Sequence, residues 1–164
     1  MKSLMLVLLA MVFVSACQEA DPSIDRQNVE NTIRNLQFSL KAAYTTGDVD
    51  TDRLIDEYYD SAAYYVTPWG TSEVLDSTKS RLKMTLPRIT DYEYSMESMD
   101  VKVYGNGAFA FYVLRQDYKV DGRERSEYLP TTMVLERRGE GWKIVHVHRS
   151  ADPESWQQWF GGTK

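Results

Sequence analysis

The second half of the chain alternates between apolar and polar residues with a period of two, which is typical of β-strands that bury one face. Turn signals interrupt the alternation at Gly105-Asn106-Gly107, Asp121-Gly122 and Gly139-Glu140-Gly141. The pattern predicts an antiparallel meander of four long strands. Their expected spans are Tyr92–Tyr104, Ala108–Val120, Arg123–Arg138 and Trp142–Ser150. One face of such a sheet must be covered by other elements of the chain.

A helical period precedes the meander. The first helix is expected to begin at Ser23 or Asp25 and to end at Gly47. Its apolar stripe consists of Val29, Ile33, Leu36, Leu40 and Tyr44. Three shorter elements follow: a helix from Thr51, a strand over Ser61–Thr67, and a helix from Asp76 or Ser77 that closes at Pro87. Helices followed by a long antiparallel sheet predict an α+β fold.

The N-terminus has the pattern of a bacterial lipoprotein signal. Lys2 is followed by the apolar run Leu4–Val14, which is too short to span a bilayer. Val14-Ser15-Ala16-Cys17 resembles a lipobox, and Cys17 is the only cysteine in the chain. The alternative is an ordinary secretory signal that happens to lie beside a cysteine.

We therefore expect a signal peptide over residues 1–16, a lipid-modified Cys17 carrying palmitate-type acyl chains, and a tether over 17–25. A single domain over 26–153 and an aromatic tail over 154–164 follow. The expected location is the cell envelope. Gln18 in place of an aspartate favours the outer membrane, facing the periplasm, if the host is Gram-negative.

The charge balance argues against polyanionic partners. The chain has 19 Lys and Arg against 24 Asp and Glu, a formal net charge of −5. Nucleic acids and anionic lipid surfaces attract basic proteins, so membrane contact is expected through the N-terminal lipid alone. No cofactor motif is present.

The final strand carries a family resemblance. Residues 142–150 read Trp-Lys-Ile-Val-His-Val-His-Arg-Ser, and Thr46-Gly47-Asp48 and Glu136-Arg137-Arg138 fit the same group. The chain resembles the nuclear transport factor 2 superfamily, in particular the SnoaL-like group that includes the association domain of calcium/calmodulin-dependent protein kinase II. The resemblance implies a cone-shaped curved sheet around the first helix, with a pocket between them. Members bind small molecules, catalyse reactions or assemble, so the fold alone names no function.

Arg149 is the residue that this resemblance carries over. In the association domain the corresponding arginine lies in the pocket with two more, but the second position is Met133 here and the third falls near Val113 or Leu114, beside Arg115. Arg149 alone could hold an anionic ligand, since its guanidinium matches a carboxylate. Pairing with an acid such as Asp117 or Glu127 is the alternative.

Alternation along the last strand separates two faces. It groups Val145, Val147 and Arg149 on one face, and Trp142, Ile144, His146 and His148 on the other. The two histidines could chelate a metal, but the chain has no third histidine. A contact between the sheets of a homodimer is the preferred interpretation of His146 and His148, and no metal is expected.

Catalysis is the main alternative to binding. Superfamily isomerases and cyclases use a pocket carboxylate as general base. Residues of suitable type are Tyr44, Asp56, Tyr59 and Asp117, none of them in an alignable motif. An isomerase, dehydratase or cyclase acting on a small carbonyl compound therefore stays open, as does a ligand-free assembly domain.

Aromatic residues are abundant, with eleven Tyr and four Trp. Rings that could line a cavity are Tyr58, Tyr59, Tyr64, Tyr65, Trp69 and Tyr128, although consecutive pairs would direct one ring outward. The pocket candidates are Arg149, Tyr44, Tyr59, Thr67, Trp69, Gln116 and Met133. Trp156, Trp159 and Phe160 share a helical face and are expected to pack on the domain, rather than on a partner or on lipid. The leading hypothesis is a non-catalytic, membrane-anchored homodimer that binds a small anionic or aromatic ligand.

Overall fold

The computed structural model describes residues 22–47 and 49–161; the predicted signal peptide, Cys17 and most of the tether lie outside the described residues. In chain order the elements are α1 (Pro22–Thr46), α2 (Thr51–Tyr58), β1 (Tyr59–Val66), β2 (Ser72–Val74), α3 (Leu75–Thr85), a 3₁₀ turn (Leu86–Arg88), β3 (Ile89–Tyr104), β4 (Gly107–Val120), β5 (Arg123–Arg138), β6 (Gly141–Arg149) and α4 (Pro153–Phe160). None of the described helices is both long and apolar enough to cross a bilayer.

The strands form one sheet in the order β2-β1-β6-β5-β4-β3. β1 and β6 are parallel, and every other neighbouring pair is antiparallel. The predicted α+β fold is confirmed, including the long first helix and the four-strand meander. The short strand β2 was not predicted.

Two bulges in β3 curve the sheet around α1. One extra residue is inserted relative to β4 between Thr90 and Glu93, and another between Glu97 and Asp100. Asp91 and Ser98, which lie at these bulges, have left-handed backbone with φ of 54° and 55°. A bulge bends its strand and increases the local twist. The edge strand β3 therefore curls over α1 and packs against it.

The core fills the part of the cone nearest the start of α1. The buried face of α1 consists of Val29, Ile33, Leu36, Gln37 and Ala43. It meets the inward side chains of the sheet, among them Ala110, Met133, Leu135 and Ile144, all fully buried. Burying an aliphatic side chain of this size contributes about 1.5–3 kcal/mol.

The start of α1 is fixed at the end of the sheet that carries the β5–β6 hairpin. Asp25 is buried and forms an ion pair with Arg137, whose backbone N–H donates to Asn106 O at 2.8 Å. The opposite half of α1 extends toward the open end of the cone, where Tyr44 contacts Tyr92 with ring centroids 4.6 Å apart.

Candidate functional site

A cavity of about 260 Å³ lies between the C-terminal half of α1 and the concave face of the sheet. Its volume is below the range of about 300–1,000 Å³ that is typical of sites for drug-sized ligands, so it fits a small metabolite. The lining side chains are Gln37, Leu40, Tyr44, Tyr65, Pro68, Trp69, Arg81, Thr85, Arg88, Ile89, Tyr92, Gln116, Tyr118, Val120, Glu127, Leu129, Arg149 and Trp159.

Arg149 reaches the cavity because β6 contains a bulge. Two successive residues of β5 pair with His146 and Ile144, which leaves Val145 as an extra residue. The extra residue shifts the alternation of side chains by one position, so the residues that point to the inner face are even-numbered before the bulge and odd-numbered after it. Ile144 is buried before the bulge, and after it Val147 is buried and Arg149 lines the cavity.

The grouping of Trp142 and Ile144 on one face with the histidines was wrong, because it assumed a regular period of two through Val145. Trp142 and Ile144 are buried, whereas His146 is half-buried and His148 is exposed on the outer face. His146 stacks on Tyr64 there, with ring centroids 6.2 Å apart. Within the described residues, no group of three His, Cys, Asp or Glu side chains is placed to hold a metal ion.

Arg149 has no ionic partner among the residues that the structure describes. None of the ion pairs in the described part of the chain includes it. Its Nε is buried without a hydrogen-bond acceptor among the described residues, and its guanidinium carbon lies 5.8 Å from the centre of the Tyr65 ring. Because a guanidinium remains protonated in proteins, Arg149 brings a positive charge to the cavity, and no carboxylate of the described residues pairs with it.

Gln37 has an unused hydrogen-bonding group at the same site. Its side chain is fully buried, and its Nε2 donates to the Tyr112 hydroxyl at 3.5 Å. The Oε1 atom has no partner among the described residues. A buried polar atom without a partner costs about 1–3 kcal/mol, so a ligand donor here would recover stability.

Glu127 is buried in the wall of the cavity, near α4. Its Oε1 accepts hydrogen bonds from the Tyr118 hydroxyl at 2.8 Å and from the Trp159 indole N–H at 2.5 Å. Its Oε2 accepts from the Gln116 amide, whose own oxygen accepts from the Tyr92 hydroxyl at 3.0 Å. No Lys, Arg or His among the described residues forms an ion pair with Glu127.

Tyr44, Tyr92 and Tyr118, which line the cavity, are hydrogen-bond donors at neutral pH. Burial raises the pKa of Tyr44 and Tyr92. Burial also raises the pKa of Tyr118, and the neighbouring charge of Glu127 raises it further. A raised pKa keeps these hydroxyls protonated.

Helix α4 is held against β5 beyond the end of β6. The Ser155 Oγ accepts from the backbone N–H of Tyr128 at 2.9 Å, and the Gln158 Oε1 accepts from that of Ser126 at 3.0 Å. Asp152 caps the helix by accepting from the Ser155 N–H at 2.8 Å. Side chains of α4 thus occupy donors of β5 that would otherwise lack a strand partner.

The aromatic side chains of α4 close one side of the cavity. Trp159 and Phe160 lie 5.8 and 5.3 Å from the Trp69 ring, centroid to centroid. Phe160 also contacts Trp156 at 4.8 Å, and the guanidinium of Arg125 lies 5.1 Å from the Trp159 ring centroid. The tail therefore packs on the body of the domain.

Two further arginines line the cavity, and the sequence reasoning missed them. The Arg81 Nε lies 3.0 Å from both carboxylate oxygens of Glu73, and Arg88 pairs with Asp121. Arg81, Thr85 and Arg88 are separated by four and three residues, which is the spacing of one helix face. This spacing could have indicated that both arginines face the pocket.

The structure brings together four of the predicted pocket residues, Arg149, Tyr44, Trp69 and Gln116, around the cavity. The other three lie elsewhere. Tyr59 is buried in the core, and Met133 is fully buried beneath Tyr112, whose hydroxyl lies 3.9 Å from its sulfur. Thr67 accepts from the Thr71 N–H at 3.1 Å and stabilises the turn after β1.

Of the remaining aromatic and catalytic candidates, some line the cavity and others lie outside it. Tyr65 lines the cavity and Tyr58 bonds to Ser39, whereas Tyr64 and Tyr128 lie outside the cavity. Asp56 pairs with Lys79, and Asp117 is exposed, so neither acid faces the cavity. Of the described residues that line it, Glu127 is the one carboxylate.

The fold, with a cavity between the first helix and a curved sheet, is that of SnoaL-like domains. A family model for SnoaL-like domains matches residues 33–153, and the chain belongs to this family. A search of curated proteins found no match.

Solved structures share the fold. A dehydratase candidate of the nuclear transport factor 2-like family from Streptomyces avermitilis is 16% identical, with a TM-score of 0.66 over 80% of this chain and 99% of that one. A candidate calcium/calmodulin-dependent kinase II association domain from Exiguobacterium sibiricum is 14% identical, with a TM-score of 0.64 over 82% and 98%. The calcium/calmodulin-dependent kinase II hub of S. rosetta is 19% identical, with a TM-score of 0.60 over 74% and 95%.

Proposed function

We propose that this protein is a lipid-anchored protein of the cell envelope whose SnoaL-like domain binds a small organic carboxylate without transforming it. The observation that carries the proposal is Arg149, which lines the cavity and has no carboxylate partner among the described residues. Leaving a partly buried charge without a counter-ion is unfavourable. A ligand carboxylate would balance it through two parallel N–H···O bonds, and Gln37 would accept a further ligand hydrogen.

The position of the acids favours binding over catalysis. A general base must be able to take a proton from the substrate. Among the described cavity residues the only carboxylate is Glu127, and both of its oxygens already accept hydrogen bonds from protein donors. An isomerase, dehydratase or cyclase would need a carboxylate that faces the substrate freely, and Asp56 and Asp117 lie outside the cavity.

Anchoring through Cys17 would leave the cavity facing away from the lipid. Five residues from Cys17 to Asp21 span at most about 18 Å when extended. The cavity begins at Gln37 and extends to Tyr44, about 22–33 Å along α1 from Pro22. The ligand would therefore enter from the aqueous side, which suits a water-soluble carboxylate.

Homodimerisation through the outer face of the sheet is the second part of the proposal. Val74, Tyr64, His146, Val134 and Phe109 lie directly opposite one another on successive strands and form a single row, here called the outer row. Tyr64 and Phe109 are 43% and 39% exposed. A second copy of the chain would cover these rings, as the association and hub domains among the structural relatives suggest by their names.

The carboxylate proposal is tested by thermal unfolding of the mature protein with straight-chain carboxylates from acetate to hexanoate. A ligand at about 100 times its Kd adds about 2.7 kcal/mol to the free energy of unfolding, which raises the Tm by several degrees. We expect this shift for the wild type and for Arg115→Lys, an exposed arginine outside the cavity. Arg149→Gln should abolish it. A flat response of the wild-type protein to the whole series contradicts the proposal.

A further inference from the structure

The cavity lining includes two side chains of opposite charge type, an arginine and a glutamate. Arg149 and Glu127 both line it, and neither forms an ion pair with the other or with another described residue. Arg149 lies opposite Thr131 of β5, and Glu127 lies four residues away on that strand. The strand rise separates those two positions by about 13 Å. The part of the cavity at Arg149 is here called the positive end, and the part at Glu127 the negative end.

The negative end is surrounded by aromatic rings. Tyr92 and Tyr118 lie 6.2 Å apart, centroid to centroid, and both are within two hydrogen bonds of the Glu127 carboxylate. The Trp159 indole N–H donates to that carboxylate. Trp69 packs beside Trp159, with ring centroids 5.8 Å apart. Aromatic faces attract cations, and a carboxylate bound only by neutral donors keeps its charge uncompensated.

We propose that the ligand is a small zwitterion, with a carboxylate that binds Arg149 and an ammonium group that binds beside Glu127 among the aromatic rings. This inference rests on the proposed function, because Arg149 keeps its role as the carboxylate anchor. The ligand class is an amino acid whose two charges are separated by a short chain, or its N-methylated form. A simple carboxylate would satisfy Arg149 and leave Glu127 unbalanced.

The other charged residues at the cavity do not call for a second anion. Arg81 and Arg88 are already paired with Glu73 and Asp121. Arg125 stacks on Trp159 at 5.1 Å and forms no ion pair among the described residues. Arg125 does not line the cavity, so the unmatched charges among the described lining residues are one cation and one anion, which is the complement of a zwitterion.

Calorimetric titration of the mature protein with compounds of matched chain length tests this inference. The probes are 5-aminopentanoate, its N,N,N-trimethyl derivative, pentanoate and pentylamine, followed by the three-, four- and six-carbon homologues. We expect the best zwitterion to bind at least about tenfold more tightly than the carboxylate of the same length. Equal affinities of each zwitterion and the carboxylate of the same length would overturn the inference and leave the carboxylate site intact. Failure of every carboxylate and zwitterion to bind would overturn both.

Two amide substitutions locate the ammonium contact. Glu127→Gln should abolish the preference for the zwitterion, so that the ratio of its affinity to that of pentanoate falls to about one. Asp117→Asn makes the same chemical change in an exposed acid outside the cavity and should leave both affinities unchanged. An unchanged preference for the zwitterion in a folded Glu127→Gln protein contradicts the inference. The comparison of compounds on the wild type does not depend on either variant folding.

Discussion

Several residues adopt states that lower stability by themselves, and they fall into two groups. Asp91 and Ser98 have left-handed backbone at the bulges of β3, where they contribute to the curvature of the sheet. Arg149 and Gln37 have buried polar atoms without partners beside the cavity. Unfavourable local states persist where the surrounding structure or a function requires them. The first group shapes the cone, and the proposed ligand site depends on the second.

Ser98→Gly should stabilise the protein. Ser98 is exposed and has φ of 55°, which a side chain disfavours and glycine adopts freely. Part of the gain is lost because glycine increases the freedom of the unfolded chain. We expect a net rise of about 0.5 kcal/mol in the free energy of unfolding, measured by urea denaturation.

The matched control for this prediction is Ser95→Gly in the same strand. Ser95 is also exposed but lies opposite Arg115 in regular pairing, without positive φ. Glycine there should destabilise the protein by about 0.5–1 kcal/mol. If both substitutions change stability in the same direction, the bulge conformation at Ser98 is not strained.

Among the elements, α4 connects the cavity to the edge of the sheet. Its polar side chains occupy the backbone donors of Ser126 and Tyr128, and its Trp159 binds Glu127 in the cavity wall. A change that loosens the helix should therefore affect both the stability of β5 and the closure of the cavity.

Ser155→Ala should destabilise the domain by about 1–3 kcal/mol, because it removes the acceptor of the Tyr128 N–H at a buried position. Thermal unfolding should show a Tm lower by several degrees. Ser126→Ala is the control: its side chain is exposed, and its bond to Gln158 uses the backbone N–H alone. Equal effects of the two substitutions would mean that the Ser155 bond contributes nothing specific.

The elements also separate what sequence reasoning could predict from what it could not. α1 and the strands of the meander have local signals, since period and turn residues act over a few positions. The bulge at Val145 has no local sequence signal. Its apolar side chain fits a regular alternating strand, and only the pairing with β5 shows that it is an extra residue. Because the bulge cannot be predicted locally, only the family resemblance placed Arg149 in the pocket. Arg81 was missed because its place depends on how α3 packs against β1.

At the scale of the whole molecule, three surfaces have separate roles in the proposed function. The start of α1 lies at the β5–β6 hairpin, the cavity lies around the other half of α1, and the outer row lies on the convex face of the sheet. This separation allows anchoring, ligand entry and dimerisation at the same time. Each can therefore be disrupted without the others.

Phe109→Glu should convert the proposed dimer to monomers. Phe109 belongs to the outer row, and a two-fold interface would bring two introduced charges into the same buried contact, at a cost of several kcal/mol. Sedimentation velocity of the non-lipidated protein measures the change. Phe38→Glu, at a 69% exposed position of α1, should remain dimeric. A wild-type monomer, or a Phe109→Glu dimer of unchanged affinity, contradicts this prediction.

Cys17→Ala should release the protein from the membrane without changing ligand affinity. Acyl chains contribute about 0.8 kcal/mol per buried methylene, so losing them should move the protein from the membrane to the soluble fraction and abolish labelling by a fatty-acid probe. The cavity begins about 22 Å along α1 from Pro22, so the affinity for a carboxylate should be the same in both forms. Continued labelling of Cys17→Ala would exclude this cysteine as the attachment site. An altered affinity would instead mean that the lipid or the membrane takes part in binding, and that the cavity does not face away from the bilayer.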